Sequence, residues 1–123
     1  MSVAMATVLV VDDEPDIRLL IATMLKAQGH EVLEAAEGEA ALAAMASAAI
    51  DVVLLDLMMP LMDGWAVLWT LHDRPTHPPV IVMSARPEYK NERPPLGAIR
   101  YLQKPFPISE AIASIEEILA GSA

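Results

Sequence analysis

An α/β fold built on a single parallel sheet is what this 123-residue chain predicts, and two observations predict it. Short apolar runs rich in β-branched residues alternate with segments of helical periodicity, as in a sheet whose strands are covered on both faces. Each run also ends in a polar residue, of three kinds in all: Asp12 and Asp13 after "TVLVV", Asp56 after "DVVLL", Ser84 after "VIVM" and Lys104 after "RYLQ". In a parallel sheet the carboxyl ends of the strands converge on one crevice, so three carboxylates, a hydroxyl and an ammonium are gathered there. Hydrophobic packing alone gives no reason for that set.

The elements follow in order along the chain. After the first strand, Pro15 suits the first turn of a helix. Ile17, Leu20, Ile21, Met24 and Leu25 then keep the spacing of one buried face until Gly29, leaving Arg18, Leu19, Ala22 and Thr23 outward. "HEVLEA" is a more polar strand, suited to a sheet edge, and Gly38 opens an Ala-rich helix with Leu42, Met45 and Ala49 inward. Residues 51–56 are the most hydrophobic run and belong at the centre of the sheet. Pro60 and the pair Asp63 and Gly64 make a turn, residues 65–71 read as helix, and Pro78 and Pro79 precede the fourth strand. In "RPEYKNERPPLGA", residues 86–98, three prolines and only two large apolar residues limit regular helix to roughly one turn. The last strand ends at Lys104 and Pro105. Ser109 then caps a closing helix whose Ile112, Ile115, Ile118 and Leu119 form an apolar stripe. Residues 1–123 read as one domain, with nothing left for an output domain.

The net charge of −9, with only eight Lys plus Arg, argues against nucleic acid as a partner, since phosphate contacts need a basic face. An acidic chain of this kind is expected to meet protein. There is no Cys, so neither a disulfide framework nor a thiolate metal site is available. The N-terminus lacks the basic segment of a signal peptide, and apolar stretches of about ten residues fall short of the roughly 20 that span a bilayer. The expected location is the cytoplasm, with no membrane partner.

Four segments, "VLVVDDEPD", "VVLLDLMMPLMDG", "VIVMSA" and "YLQKPF", lie in an order and spacing that resembles the receiver domain of two-component response regulators, of the single-domain type. The resemblance implies a flavodoxin-like, doubly wound sheet of five parallel strands in the order 2-1-3-4-5 with five helices, the fourth of them short or irregular here. Charge counting fits the chemistry it implies. Three clustered carboxylates with one lysine leave about −2, and an all-oxygen ligand set without Cys or His suits Mg²⁺. By the resemblance, Asp13 and Asp56 contact the metal directly, Asp12 does so through water, and the backbone carbonyl of Met58 supplies a further oxygen. Asp56 would be the phosphoacceptor, aided by Lys104 and Ser84. Ser84 and Tyr101 would form the switch, and the Lys104-Pro105 peptide would be cis.

Taken singly, most of these residues have plainer readings. Asp12 and Asp13 suit helix capping, Ser84 a turn, Lys104 the surface, and Tyr101 an amphipathic strand; His30, His72 and His77 have no ligand spacing. Asp56 is the exception, because an acid after four apolar residues is costly unless paired. Together the residues point to a phosphorylation-dependent switch of a two-component phosphorelay. It would accept phosphate from a histidine kinase or histidine phosphotransfer protein docked on the first helix, and would signal by contact with a downstream protein. It would catalyse only its own phosphorylation and dephosphorylation. Two alternatives stay open: a receiver-like adapter that binds partners without phosphorylation, and a phosphohydrolase with an aspartyl nucleophile. Such phosphohydrolases commonly place a second acid two residues after the nucleophile, and here that residue is Met58.

Overall fold

In the computed structural model, residues 5–59, 61–85 and 100–120 are described. Their five strands are β1 (Thr7–Val11), β2 (Glu31–Ala35), β3 (Val52–Asp56), β4 (Val80–Ser84) and β5 (Arg100–Gln103). All pair in parallel, in the order β2-β1-β3-β4-β5, as the sequence analysis expected. The described helices are α1 (Pro15–Ala27), α2 (Gly38–Ser47), α3 (Gly64–His72) and α4 (Ile108–Leu119). The expected short helix within residues 86–98 lies outside the described residues.

The three inner strands, β1, β3 and β4, are buried on both sides, and their alternation divides the core in two. Val8, Val10, Val52, Leu54, Ile81 and Met83 face α1 and α4, where Ile21, Leu25, Ala111 and Ile115 complete one cluster. Leu9, Val11, Val53, Leu55, Val80 and Val82 face α2 and α3, against Ala41, Val67, Leu68 and Leu71. This is the two-residue period of a strand with helices on both faces, each buried Leu or Ile contributing about 1.5–3 kcal/mol. The most hydrophobic strand, β3, is central. At the edge, β2 exposes Glu31 and Glu34, charges that discourage pairing with another chain.

Three local expectations are corrected. On α1 the inward face is centred on Ile21, Ala22 and Leu25, so Ala22 is buried and Leu20 is 56% exposed. Leu20 lies about 150° around the helix from the midpoint of Ile21 and Ala22, a turn that the three-and-four spacing alone does not fix. The second helix ends at Ser47 because Ala48 adopts an extended conformation, which leaves Ala49 exposed and off the inner face. Pro107, not Ser109, occupies the N-cap of α4; no side-chain capping bond forms, and the Pro107 carbonyl accepts from the Glu110 N–H at 2.9 Å. Met59 also joins the core on the α2 and α3 side.

Between β3 and α3 the chain turns tightly. The Asp63 carboxylate caps α3 by accepting from the Ala66 N–H at 3.0 Å, and the Gly64 N–H donates to the Leu57 carbonyl at 3.1 Å. A Cβ at Gly64 would collide with the Asp56 carbonyl oxygen and lie 2.6 Å from the Leu57 Cα, both of them backbone atoms that cannot step aside cheaply. Gly64→Ala is therefore expected to lower stability by about 2 kcal/mol or more, read as a shift of the denaturant midpoint at unchanged slope. An unchanged midpoint would contradict this close approach.

Candidate functional site

The carboxyl ends of β1, β3, β4 and β5 deliver Asp12, Asp56, Ser84 and Lys104 to one end of the sheet. Asp12 is fully buried, and all four of its polar atoms are engaged. Its N–H donates to the Ala35 carbonyl (3.1 Å), and its carbonyl accepts from Arg18 Nη1 (2.7 Å). Oδ1 accepts from the Glu14 N–H (3.0 Å), and Oδ2 accepts from Lys104 Nζ (2.8 Å). The capping role is thus not the one Asp12 plays: Glu14 is the N-cap of α1, without a side-chain capping bond.

Asp56 is 3% exposed. Its Oδ1 accepts from the Met58 N–H at 3.1 Å, and its Oδ2 lies 3.4 Å from Lys104 Nζ. Asp13 is half-exposed beside them, and Asp12, Asp13 and Asp56 each offer a carboxylate oxygen within 4.8 Å of the others. Burial raises the Asp56 pKa from 3.8 to about 6; the charge of Lys104 and the Met58 N–H oppose that rise, and the charge of Asp12 adds to it. For Lys104, burial works against the ammonium, but the hydrogen bond to Asp12 and the charges of Asp56 and Asp12 outweigh it, so its pKa stands above 10.5. The lysine is a permanent cation shared by two buried anions.

One ammonium among three carboxylates leaves a negative excess. Among the described residues the cluster offers carboxylate oxygens, hard donors that fit a divalent cation such as Mg²⁺. Asp12 is fully buried and Asp56 is 3% exposed, so the most accessible ligand atoms belong to the half-exposed Asp13.

Ser84 is buried at the end of β4, and its carbonyl accepts from both the Lys104 N–H (2.8 Å) and the Tyr101 hydroxyl (3.2 Å). Tyr101 is half-buried and packs against the core on the α2 and α3 side. The Lys104-Pro105 peptide is cis. The histidines stand apart from the site: the Nδ1 of His30 accepts from the Ala6 N–H at the opposite end of β1, His72 stacks edge-on against Trp69, and His77 contacts the Pro78 carbonyl. Two participants went unnoticed in the sequence, the Met58 N–H and the Arg18 guanidinium. An arginine one turn beyond an acidic pair at a strand end was the available signal for the second.

Comparison with known proteins agrees with this geometry. The family model described as "Response regulator receiver domain" matches residues 8–116. The transcriptional regulatory protein KdpE of Mycobacterium tuberculosis is 42% identical over 113 residues, covering 90% of this chain and 50% of that protein. The receiver domain of the Francisella response regulator 1452 superposes with a TM-score of 0.88 at 33% identity, over 96% of this chain and 99% of that one. The response regulator TrrA of Thermotoga maritima, solved in complex with Mg²⁺ and BeF, gives 0.83 at 32% identity, over 93% and 99% of the two chains. The chain spans half or less of the length of the curated relatives it matches.

The raised pKa of Asp56 has a stability consequence whose sign is fixed. An acid with a folded-state pKa above its unfolded value penalises folding once both states are ionised, above pH 6, and the penalty fades as pH falls through 6 towards 3.8. Asp56→Asn is therefore expected to stabilise the metal-free protein at pH 7.5 by about 1–3 kcal/mol, with the gain over wild type shrinking towards pH 4. Urea unfolding in chelator at the two pH values measures both, and a destabilised variant at pH 7.5 would contradict the desolvated carboxylate.

Proposed function

The chain belongs to the response regulator receiver family, and from that premise we propose that it is a phosphorylation-controlled switch that accepts a phosphoryl group on Asp56. The observation that carries this reading is the shared ammonium: Lys104 Nζ lies 2.8 Å from Asp12 and 3.4 Å from Asp56, with Asp13 completing the acidic cluster. Asp13 and Asp56 would hold Mg²⁺ directly, Asp12 through water, and the Met58 carbonyl would add a ligand. When bound, the ion neutralises charge on the transferring phosphoryl oxygens. A pKa of about 6 leaves Asp56 ionised at neutral pH yet more basic than an ordinary carboxylate, as a nucleophile requires. One of its oxygens attacks phosphorus, the P–N bond of a donor phosphohistidine breaks, and the departing imidazole is released to the donor. Lys104 then pairs with the phosphoryl oxygens, and the Ser84 hydroxyl donates to one of them. Asp56 becomes an acyl phosphate. The phosphohydrolase reading is disfavoured because Met58 brings no proton to a leaving group.

The donor is a histidine kinase or histidine phosphotransfer protein, and the surface that suits it lies beside the site. An apolar groove of about 450 Å³ runs between α1 and the start of α4, lined by Ile17, Leu20, Ile21, Phe106 and Ile108, with Lys104 at one wall. Leu19 and Leu20 are both exposed next to it. A downstream protein would read the phosphorylated form. Among the described residues no helix is long and apolar enough to cross a membrane, which suits the cytoplasmic setting of such a relay.

Incubation with Mg²⁺ and acetyl phosphate is expected to add one phosphoryl mass on Asp56. Asp56→Asn should abolish the addition, and so should excess chelator; labelling that proceeds equally well in chelator would overturn the site assignment. Docking has its own test. Leu20→Glu should slow transfer from a phosphorylated partner about tenfold or more, since a charge is buried at an apolar contact, while transfer from acetyl phosphate stays unchanged. An equal loss with both donors would remove the groove as the docking surface. Ala22 cannot serve for this test, because it is buried against the sheet.

A further inference from the structure

We propose that Arg18 and Glu34 are a positioning pair for the acidic cation site, Arg18 fixing the peptide that joins Asp12 to Asp13 and Glu34 fixing Arg18. The inference rests on the reading of Asp12, Asp13 and Asp56 as the Mg²⁺ site. Arg18 sits in the second quarter of α1 with its side chain only 19% exposed, and it makes two directed contacts: Nη1 donates to the Asp12 carbonyl at 2.7 Å, and Nε donates to Glu34 Oε1 at 3.2 Å. Glu34 belongs to the edge strand β2, opposite Val10 of β1. The guanidinium therefore ties the end of β1, the edge strand and α1 together.

The Asp12 carbonyl is a consequential atom to hold. It lies beyond the last ladder residue of β1 and before the first residue of α1, where the sheet still holds the Asp12 N–H, through the Ala35 carbonyl, but the carbonyl is held by Arg18. A peptide unit is planar, so anchoring its oxygen also anchors its nitrogen, which is the nitrogen of Asp13. Asp12 is fixed in addition through its N–H and both carboxylate oxygens. Asp13 is the half-exposed acid of the three, and the direction of its carboxylate depends on the orientation of that peptide plane.

Charge and position make opposite forecasts here. By charge alone, removing the Arg18 cation from near the acidic cluster would tighten Mg²⁺ binding. By position, removing it frees the peptide and weakens binding. Glu34 separates the two in a second way. If it acts through Arg18, its removal has an effect only while Arg18 is present, so the paired substitutions are non-additive.

The test is calorimetric titration of Mg²⁺ into the full chain, at a temperature where thermal unfolding in chelator shows every variant folded. Arg18→Met, which keeps the stem and removes the donors, should weaken Mg²⁺ about tenfold, and Arg18→Lys should recover part of the loss. Glu34→Ala should weaken binding about threefold in the wild-type background and not at all in Arg18→Met. Affinity in Arg18→Met equal to or tighter than wild type overturns the proposal. Should Arg18→Met fail to fold, Glu34→Ala carries the test, and an unchanged affinity there overturns it. A wild-type chain that binds no Mg²⁺ sinks this inference together with the proposed function, whereas a wild type that binds normally beside unaffected variants sinks this inference alone.

Discussion

The pairing of Lys104 with two buried carboxylates is the constraint on which the rest of the site depends. Taking an ion out of water costs several kcal/mol even after relaxation, and Asp12 and Asp56 are both buried. Their compensation comes from a residue far along the chain, at the end of the opposite edge strand, so β5 must stop where it does for the sheet end to be tolerable. The Lys104 N–H bond to the Ser84 carbonyl fixes that stopping point from the main-chain side. One ammonium still balances only part of the charge. The remaining negative excess gives a divalent cation a physical reason to occupy the site.

A second constraint is steric. Asp56 can sit at a strand end beside a short turn only because Gly64 lets α3 begin against the backbone of residues 56 and 57. Leu61 in the same loop has φ +65° and is 93% exposed, a left-handed conformation that costs an L-residue about 1 kcal/mol. The tight turn thus concentrates backbone strain within a few residues of the Asp56 carboxylate. On its other side, the Leu57 N–H is held by the Met83 carbonyl of β4, so the turn cannot relax without disturbing the neighbouring strand.

Most of the architecture was legible because two periods carry it. Short, largely apolar strands that run into polar residues identify both the parallel sheet and the crevice, and this placed Asp12, Asp13, Asp56, Ser84 and Lys104 at the strand ends before any geometry was known. The strand order came from family resemblance, since hydropathy does not say which strands are neighbours. What stayed illegible is rotational or terminal. A three-and-four spacing on α1 fits several rotations about the helix axis, and the small Ala22 takes an inward place that a size-weighted reading gives to Leu20. The end of α2 depends on one dihedral at Ala48, and the start of α4 on the fixed φ of Pro107, which the signal from Ser109 masks. The contacts of Arg18 with the Asp12 carbonyl and of Met58 with Asp56 involve main-chain atoms, which no residue type announces.

The last link runs from the site to the surface through one atom. The Ser84 carbonyl receives the Lys104 N–H and the Tyr101 hydroxyl together, so the residue that would donate its hydroxyl to a phosphoryl group is also the main-chain acceptor for both β5 partners. A carbonyl shared in this way cannot move towards the phosphate without lengthening two bonds at once, one to the strand that carries the lysine and one to the aromatic ring. Lengthening them together is cooperative in the plain sense that losing the first weakens the constraint on the second. Tyr101 is half-buried against the α2 and α3 core, so in the proposed switch a small displacement at residue 84 would be converted into a choice between a few ring positions rather than a graded drift. The proposed signalling by protein contact would need that conversion, since a partner distinguishes two surfaces more sharply than it distinguishes degrees of one.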